Sequence, residues 1–164
     1  VYAFSELYRE TDLADFQTEI ENVVLTAPDV DRERFNEQFK REIAALAGNL
    51  TVYVSSNDRA LLMSRILNRG RRLGESTLNP RNPDQSETAS RIFDLVEPGN
   101  DLVTLVDVTP VNRTRNFHNF SLETPEFFDD LYLRLVNTEM PLSRPEYRIE
   151  TPTGGVYWVL TRGR

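Results

Sequence analysis

The sequence predicts an α/β protein, three layers deep, with parallel strands between two layers of helices and a β-hairpin at the C-terminal end. Three observations carry this. Short runs at Asn22–Ala27, Leu50–Ser55 and Leu102–Val108 are apolar without a regular polar alternation, the pattern of strands covered on both faces. Between the first two lies Arg32–Ala47, where Phe35, Phe39, Ile43 and Leu46 recur at steps of four and three, an amphipathic helix. Strand, helix and strand at such close spacing make a right-handed crossover unit, which joins parallel neighbours.

The elements follow in order along the chain. Phe4, Leu7, Leu13, Phe16 and Ile20 space as one helical face, broken near Thr11-Asp12, where Asp12 is placed to cap a second short helix. Strand Asn22–Ala27 ends at Pro28-Asp29-Val30-Asp31, and one of these two aspartates is expected to cap the Phe35 helix. Gly48-Asn49 reads as the stop of that helix. After strand Leu50–Ser55, Asn57-Asp58 opens a helix from about Arg59 to Leu67, with Leu62, Met63, Ile66 and Leu67 on its apolar side. From Asn68 to about Ser90 the composition turns to Gly, Arg, Asn, Pro and Ser; long loops at the edge of such a sheet serve as lids or binding walls.

Glu97–Asp101 is a turn that leads into strand Leu102–Val108. Thr124-Pro125-Glu126 then supplies an N-cap, a proline at the first helical position and an acidic first turn. The helix it opens is expected to lay Phe127, Phe128, Leu131, Tyr132 and Leu135 along one face, against the sheet. Tyr147–Glu150 and Val156–Thr161, around Thr151-Pro152-Thr153-Gly154-Gly155, form the hairpin. Residues 1–144 are expected to make the main domain and 145–164 a hairpin extension.

Composition bounds the partners. The 26 acidic side chains outnumber the 19 basic ones, for a net charge of -7, a field that repels phosphate backbones, so nucleic acid is not an expected partner. No apolar run approaches the roughly 20 residues of a membrane-spanning helix. Cysteine is absent, which removes disulfides and thiolate chemistry and leaves cytoplasm and periplasm equally open. No metal and no cofactor is expected; Asp29 and Asp31 lack the further oxygen ligands and the spaced glycine of a calcium loop. Val1–Glu6 carries neither an initiator methionine nor the features of a signal peptide, which reads as an internal start in a longer protein.

Hydrolytic acyl transfer by a serine needs a base for the hydroxyl proton and an acid that holds the base in one tautomer. The one histidine, His118, stands in Arg115-Asn116-Phe117-His118-Asn119-Phe120, after the third strand and before a capped helix, and its ordinary pKa suits a base at neutral pH. Asp58 follows the second strand; it is equally well placed as a helix N-cap, and the two roles are compatible. Asp29, after the first strand, is the alternative acid. The nucleophile is expected in a Gly-x-Ser-x-Gly elbow or a relative of it, and no such motif is present; Ser76 has one flanking glycine but follows the acid, and Ser55 and Ser56 have none. Arg65, Arg69, Arg71 and Arg72 form a basic cluster that reads as a solvated helix end; Arg71 and Arg72 are the candidates for steering an anionic substrate to the loop.

Val24–Phe35, Thr51–Leu61 and Arg72-Leu73-Gly74-Glu75 resemble, in register from about Glu21 to Val136, the C-terminal half of a bacterial family of uncharacterised α/β-hydrolases described as esterase- or lipase-like. By that resemblance Asp58 falls on the family's acid and His118 on its histidine, while the family's serine, in a His-Ser-Met-Gly elbow, lies in the half that precedes Val1. The resemblance implies a serine hydrolase of carboxylic esters, with a small-molecule ester as substrate and the upstream half of the protein, or a dimer partner, covering the edge of the sheet. The alternative is a non-catalytic interaction module that keeps the half-sheet as scaffold.

Overall fold

The structure is a computed structural model of the 164-residue chain and describes residues 1–12, 20–31, 34–55, 103–114, 119–136, 146–150 and 154–162. Helix α1 spans Tyr2–Glu10 and strand β1 Ile20–Thr26. A π-helical turn, Phe35–Phe39, runs into α2, Lys40–Leu46, and the chain passes directly into β2, Ala47–Val54. Strand β3 covers Val103–Asp107, the single turn α3 Phe120–Glu123, and α4 Pro125–Val136. Strands β4, Glu146–Glu150, and β5, Val156–Leu160, close the order. The expected helix from Arg59 and the Asn68–Ser90 stretch lie outside the described residues.

The five strands form one sheet in the order β1-β2-β3-β5-β4. β1, β2, β3 and β5 run parallel, and β4 is antiparallel to β5. The register places Val23 beside Leu50 and Leu50 beside Val103, so these odd and even positions share one face. On that face Val23, Leu50, Val52, Val54, Val103 and Leu105 meet Phe35, Phe39 and Ile43 in a core from which water is excluded. Each large side chain buried this way contributes about 1.5–3 kcal/mol. The opposite face carries Tyr53, Val106 and Leu160 against Phe120 and Phe127. Helices therefore cover both faces, the αβα arrangement that the unalternating strands predicted.

Helix α1 is fastened to α2 by a short hydrogen bond from the Ser5 hydroxyl to the Glu42 carboxylate. Burial works against the charge on Glu42, but hydrogen bonds from Ser5 and Gln38 and the charges of Arg9 and Arg41 outweigh it and hold the carboxyl below its ordinary range. Tyr2 meets Phe39 edge-on at 5.2 Å between ring centres.

Three expectations are corrected. Ile20 opens β1 and is not part of a helical face. Gly48 and Asn49 do not stop the preceding helix; they lie within β2. The helix ends because Ala47 takes an extended conformation (φ -130, ψ 145) while its N–H still bonds to Ile43 O. Glycine suits position 48 for a different reason: a Cβ there would stand 3.1 Å from the Glu21 carbonyl of β1, a close approach of two strands. Third, α4 turns Phe127, Asp130 and Arg134 inward, leaving Phe128, Tyr132 and Leu135 47%, 62% and 50% exposed. Spacings of three and four keep Phe127, Asp130 and Arg134 on one side of a helix, and a buried hydrogen-bond network takes the inward positions that apolar spacing assigned elsewhere.

The hairpin forms as expected, with Gly154 supplying a positive φ of 84 before β5. Its inner strand also bonds to β3, pairing Val106 with Trp158 and Asp107 with Val159.

Candidate active site

The carboxyl ends of β1, β2 and β3 meet at one rim of the sheet. Val54 pairs with Asp107 as the last register pair of β2 and β3, and one further backbone bond, Val108 N–H to Val54 O at 2.9 Å, carries the ladder past it. Ala27 N–H bonds to Tyr53 O at 3.0 Å on the other side of β2. Ala27 is buried and holds a φ of 41, a left-handed conformation that costs about 1–2 kcal/mol for a residue with a Cβ. It turns the chain sharply off β1 into Pro28 and Asp29.

Beyond the strands, a polar cluster is buried at this rim. Asp107, 2% exposed, accepts from the Thr109 N–H at 2.8 Å and from the Thr109 hydroxyl, an aspartate turn that bends the chain where β3 ends. Asn112 donates through Nδ2 to Ser55 Oγ at 2.9 Å, and its Oδ1 accepts from the Thr114 hydroxyl at 2.9 Å and the Thr114 N–H at 3.3 Å. Ser55, Asn112 and Thr114 are all buried. With Ser55 fully enclosed and hydrogen-bonded to an amide, its environment is structural. Below the rim, burial and then the Asp107 charge push the Tyr157 hydroxyl up to about 12. Beside Thr114, a cleft of about 270 Å³ is lined by Arg113, Glu123, Thr124, Pro125, Glu126 and Arg162, among others.

A second buried network joins the layers under α4. The Tyr53 hydroxyl donates to Asp130 Oδ2 at 2.7 Å, Arg134 Nε reaches the same oxygen at 2.7 Å, and Arg134 Nη2 reaches Glu146 Oε2 at 2.8 Å. Burial and the neighbouring Asp130 carboxylate push the Tyr53 hydroxyl far above its ordinary value. For Arg134 burial opposes the charge, yet Asp130 and Glu146 more than compensate and hold it protonated.

Of the residues singled out from sequence, Asp58, His118, Arg71 and Arg72 lie outside the described residues. Asp29 is exposed on the turn after β1, and β2 separates that strand from β3. Asp31 is the member of the pair that caps the next helix: its Oδ1 accepts the Arg34 N–H at 3.0 Å and its carbonyl the Phe35 N–H at 2.9 Å. Sequence reading did not find the Ser55–Asn112–Thr114 cluster. Short polar residues at strand exits are ordinary turn formers, so nothing local marks them as partners 57 positions apart. Among the described residues no group of His, Cys, Asp or Glu is arranged to hold a metal ion, and no helix is long and apolar enough to cross a membrane.

A mostly parallel sheet layered between helices, with strand exits gathered at one rim, is the architecture of the α/β hydrolases. A model of the family described as alpha/beta hydrolase of unknown function (DUF900) matches residues 1–132, and the chain belongs to that family. The match takes in α1, which precedes the segments that carry the resemblance, and stops within α4, so β4 and β5 lie beyond it. No curated protein and no solved structure matches the chain. Membership points to hydrolase-type chemistry.

Proposed function

We propose that this chain belongs to a serine hydrolase of carboxylic esters and supplies the acid, Asp58, and the histidine, His118, of a Ser-Asp-His triad whose serine lies outside these 164 residues. The observation that carries the reading is the adjacency of two strand exits. Asp58 follows Ser55 by three positions, and His118 follows Thr114 by four and precedes Asn119 by one. Three or four residues of chain reach at most roughly 10–14 Å, and Ser55 and Thr114 are both bonded to Asn112. Asp58 and His118 therefore follow, within a few residues, two exits that meet at one rim, which supports the reading.

In this reading the His118 imidazole takes the proton of the serine hydroxyl as its oxygen attacks the ester carbonyl, then delivers that proton to the departing alcohol. Water repeats the sequence on the acyl-enzyme and releases the acid. Asp58 accepts the other ring N–H of His118, which fixes its tautomer and stabilises the imidazolium. Asp29 is the weaker choice of acid because it leaves from β1, one strand further from β3. The cleft beside Thr114 offers space for part of the substrate, and Arg71 and Arg72 steer an anionic one. In the same reading the N-terminal half of the longer protein, or a dimer partner, covers the outer edge of β1, whose partner among the described strands is β2 alone.

The test is hydrolysis of short-chain aryl esters by the complete protein. Asp58→Asn and His118→Ala each lower kcat by ~10⁴-fold, while Asp29→Asn leaves it near wild type. Full activity in both of the first two variants rules the assignment out.

A further inference from the structure

We propose that a pocket in the amino-terminal half of the sheet, on the face turned to α4, binds a small uncharged polyol of about the size of a monosaccharide. The site is independent of the triad reading and lies away from the rim, toward the other end of the strands. In the carboxyl half of that face Tyr53 and Val106 pack against Phe120 and Phe127. Side chains two positions apart share a face of a strand, so Thr51 stands with Tyr53 and Thr104 with Val106. The register sets Thr51 beside Thr104 and Asn22 beside Asn49. Polar side chains from three adjacent strands thus gather where an apolar layer would be needed to seat a helix. A helix closing over them would desolvate their polar groups at a cost, and between the strands and Leu133 and Arg134 of α4 a space of about 230 Å³ is left.

The lining points to a ligand rather than to packing. Thr51 is only 8% exposed and lines this pocket. Among the described residues its hydroxyl has no hydrogen-bond partner, and neither has the Thr104 hydroxyl nor the Asn22 amide. Polar groups buried to that degree are ordinarily paired, and valine would suit a strand there without leaving one unsatisfied. Asn49 commits one amide N–H to the Glu21 carbonyl at 3.3 Å and keeps its other donor and its acceptor. Charge selects the class of ligand. The Arg134 guanidinium is already matched by Asp130 and Glu146, so it has no surplus for an anion, and Glu21 adds a carboxylate to the lining. What remains is two amides and two hydroxyls, each able to donate and to accept, the complement of a ligand whose own hydroxyls do both. Each H–C–OH unit takes about the 30 Å³ share of one water, so the space of about 230 Å³ holds one six-carbon polyol.

The proposal is tested by NMR titration of the full 164-residue chain with glucose and with myo-inositol, read on the methyl signals of Thr104 and Leu133. At least one of the two is expected to shift those signals saturably, with a Kd of about 1–10 mM, while the Val111 and Thr114 signals at the rim stay in place. Thr51→Val is expected to weaken that binding by about tenfold. Its urea midpoint should be unchanged or raised, because the hydroxyl has no protein partner to lose. Asn49→Ala, at an exposed position, is expected to weaken binding by about threefold or more, and it decides the matter should Thr51→Val fail to fold. No shift with either probe up to about 100 mM, or undiminished binding in a folded Thr51→Val or in Asn49→Ala, overturns the inference. Sodium acetate or butylammonium chloride moving the same signals more strongly than either polyol overturns the assignment of an uncharged ligand.

Discussion

Two buried polar clusters hang on β2 only two residues apart, and they differ in what they hold. Tyr53 leads into a charged network, with Arg134 placed between the Asp130 and Glu146 carboxylates, and ties the sheet to α4 and to the hairpin. Ser55 leads into amide and hydroxyl contacts at the rim. In the first, each partner leaves a buried charge behind if another is removed; in the second, a lost partner leaves a neutral group unsatisfied. Losing a partner is therefore expected to cost more under the helix than at the rim.

The largest expected effect is at Arg134. Its truncation in Arg134→Ala takes the cation from two carboxylates whose side chains are 1% and 5% exposed, and removing one partner of a buried pair costs about 3–5 kcal/mol. Urea midpoints give the loss. A loss below about 1 kcal/mol, within the range of an exposed pair, would erase the contrast between the two clusters.

A smaller effect is expected on the alkaline side. The Tyr157 hydroxyl is held up to about 12 by burial and the Asp107 charge, against an unfolded value of about 10. Its contribution is fully present below pH 10 and is lost as pH rises toward 12, because only the unfolded state releases the proton in that window. Tyr53, raised further, continues the loss at higher pH. Tyr157→Phe should flatten the decline in melting temperature between pH 10 and 12; an unchanged slope would show that the proton lost in that window is not this one. The smallest effect is at the exposed Glu6–Arg9 pair, 65% and 57% exposed. Glu6→Gln should cost less than about 0.5 kcal/mol, as surface pairs do, and a larger loss would mean that burial is not what separates strong links from weak ones here.

Strands and layers were legible because they follow from local pattern. Val23, Leu50, Val52, Val103 and Leu105 lie in unalternating apolar runs and are buried as such runs require. Boundaries were less so: Gly48 resembles a helix stop, yet its lack of a side chain answers the approach of Glu21 from another strand, a contact that no window around Gly48 contains. The facing of α4 misled for a related reason. Asp130 and Arg134 look like solvent residues until Tyr53 and Glu146 are brought beside them, and Tyr53 is 77 positions away. Of the candidate site, Asp58, His118, Arg71 and Arg72, named from type, order and resemblance, lie outside the described residues, and Asp29 is exposed on the turn after β1. The Ser55–Asn112–Thr114 link was out of reach because such pairing is a property of folded space.

Strand β5 has a consequence for how the chain is cut. It lies between β3 and β4, bonded to both, although the family match ends at residue 132. A version trimmed to the matched segment would strip β3 of a flank, uncover Val106 and Asp107 and delete Glu146, one of the two carboxylates that hold Arg134. The family match and the sheet thus end at different places, and a shortened version of the chain should keep the residues through Leu160.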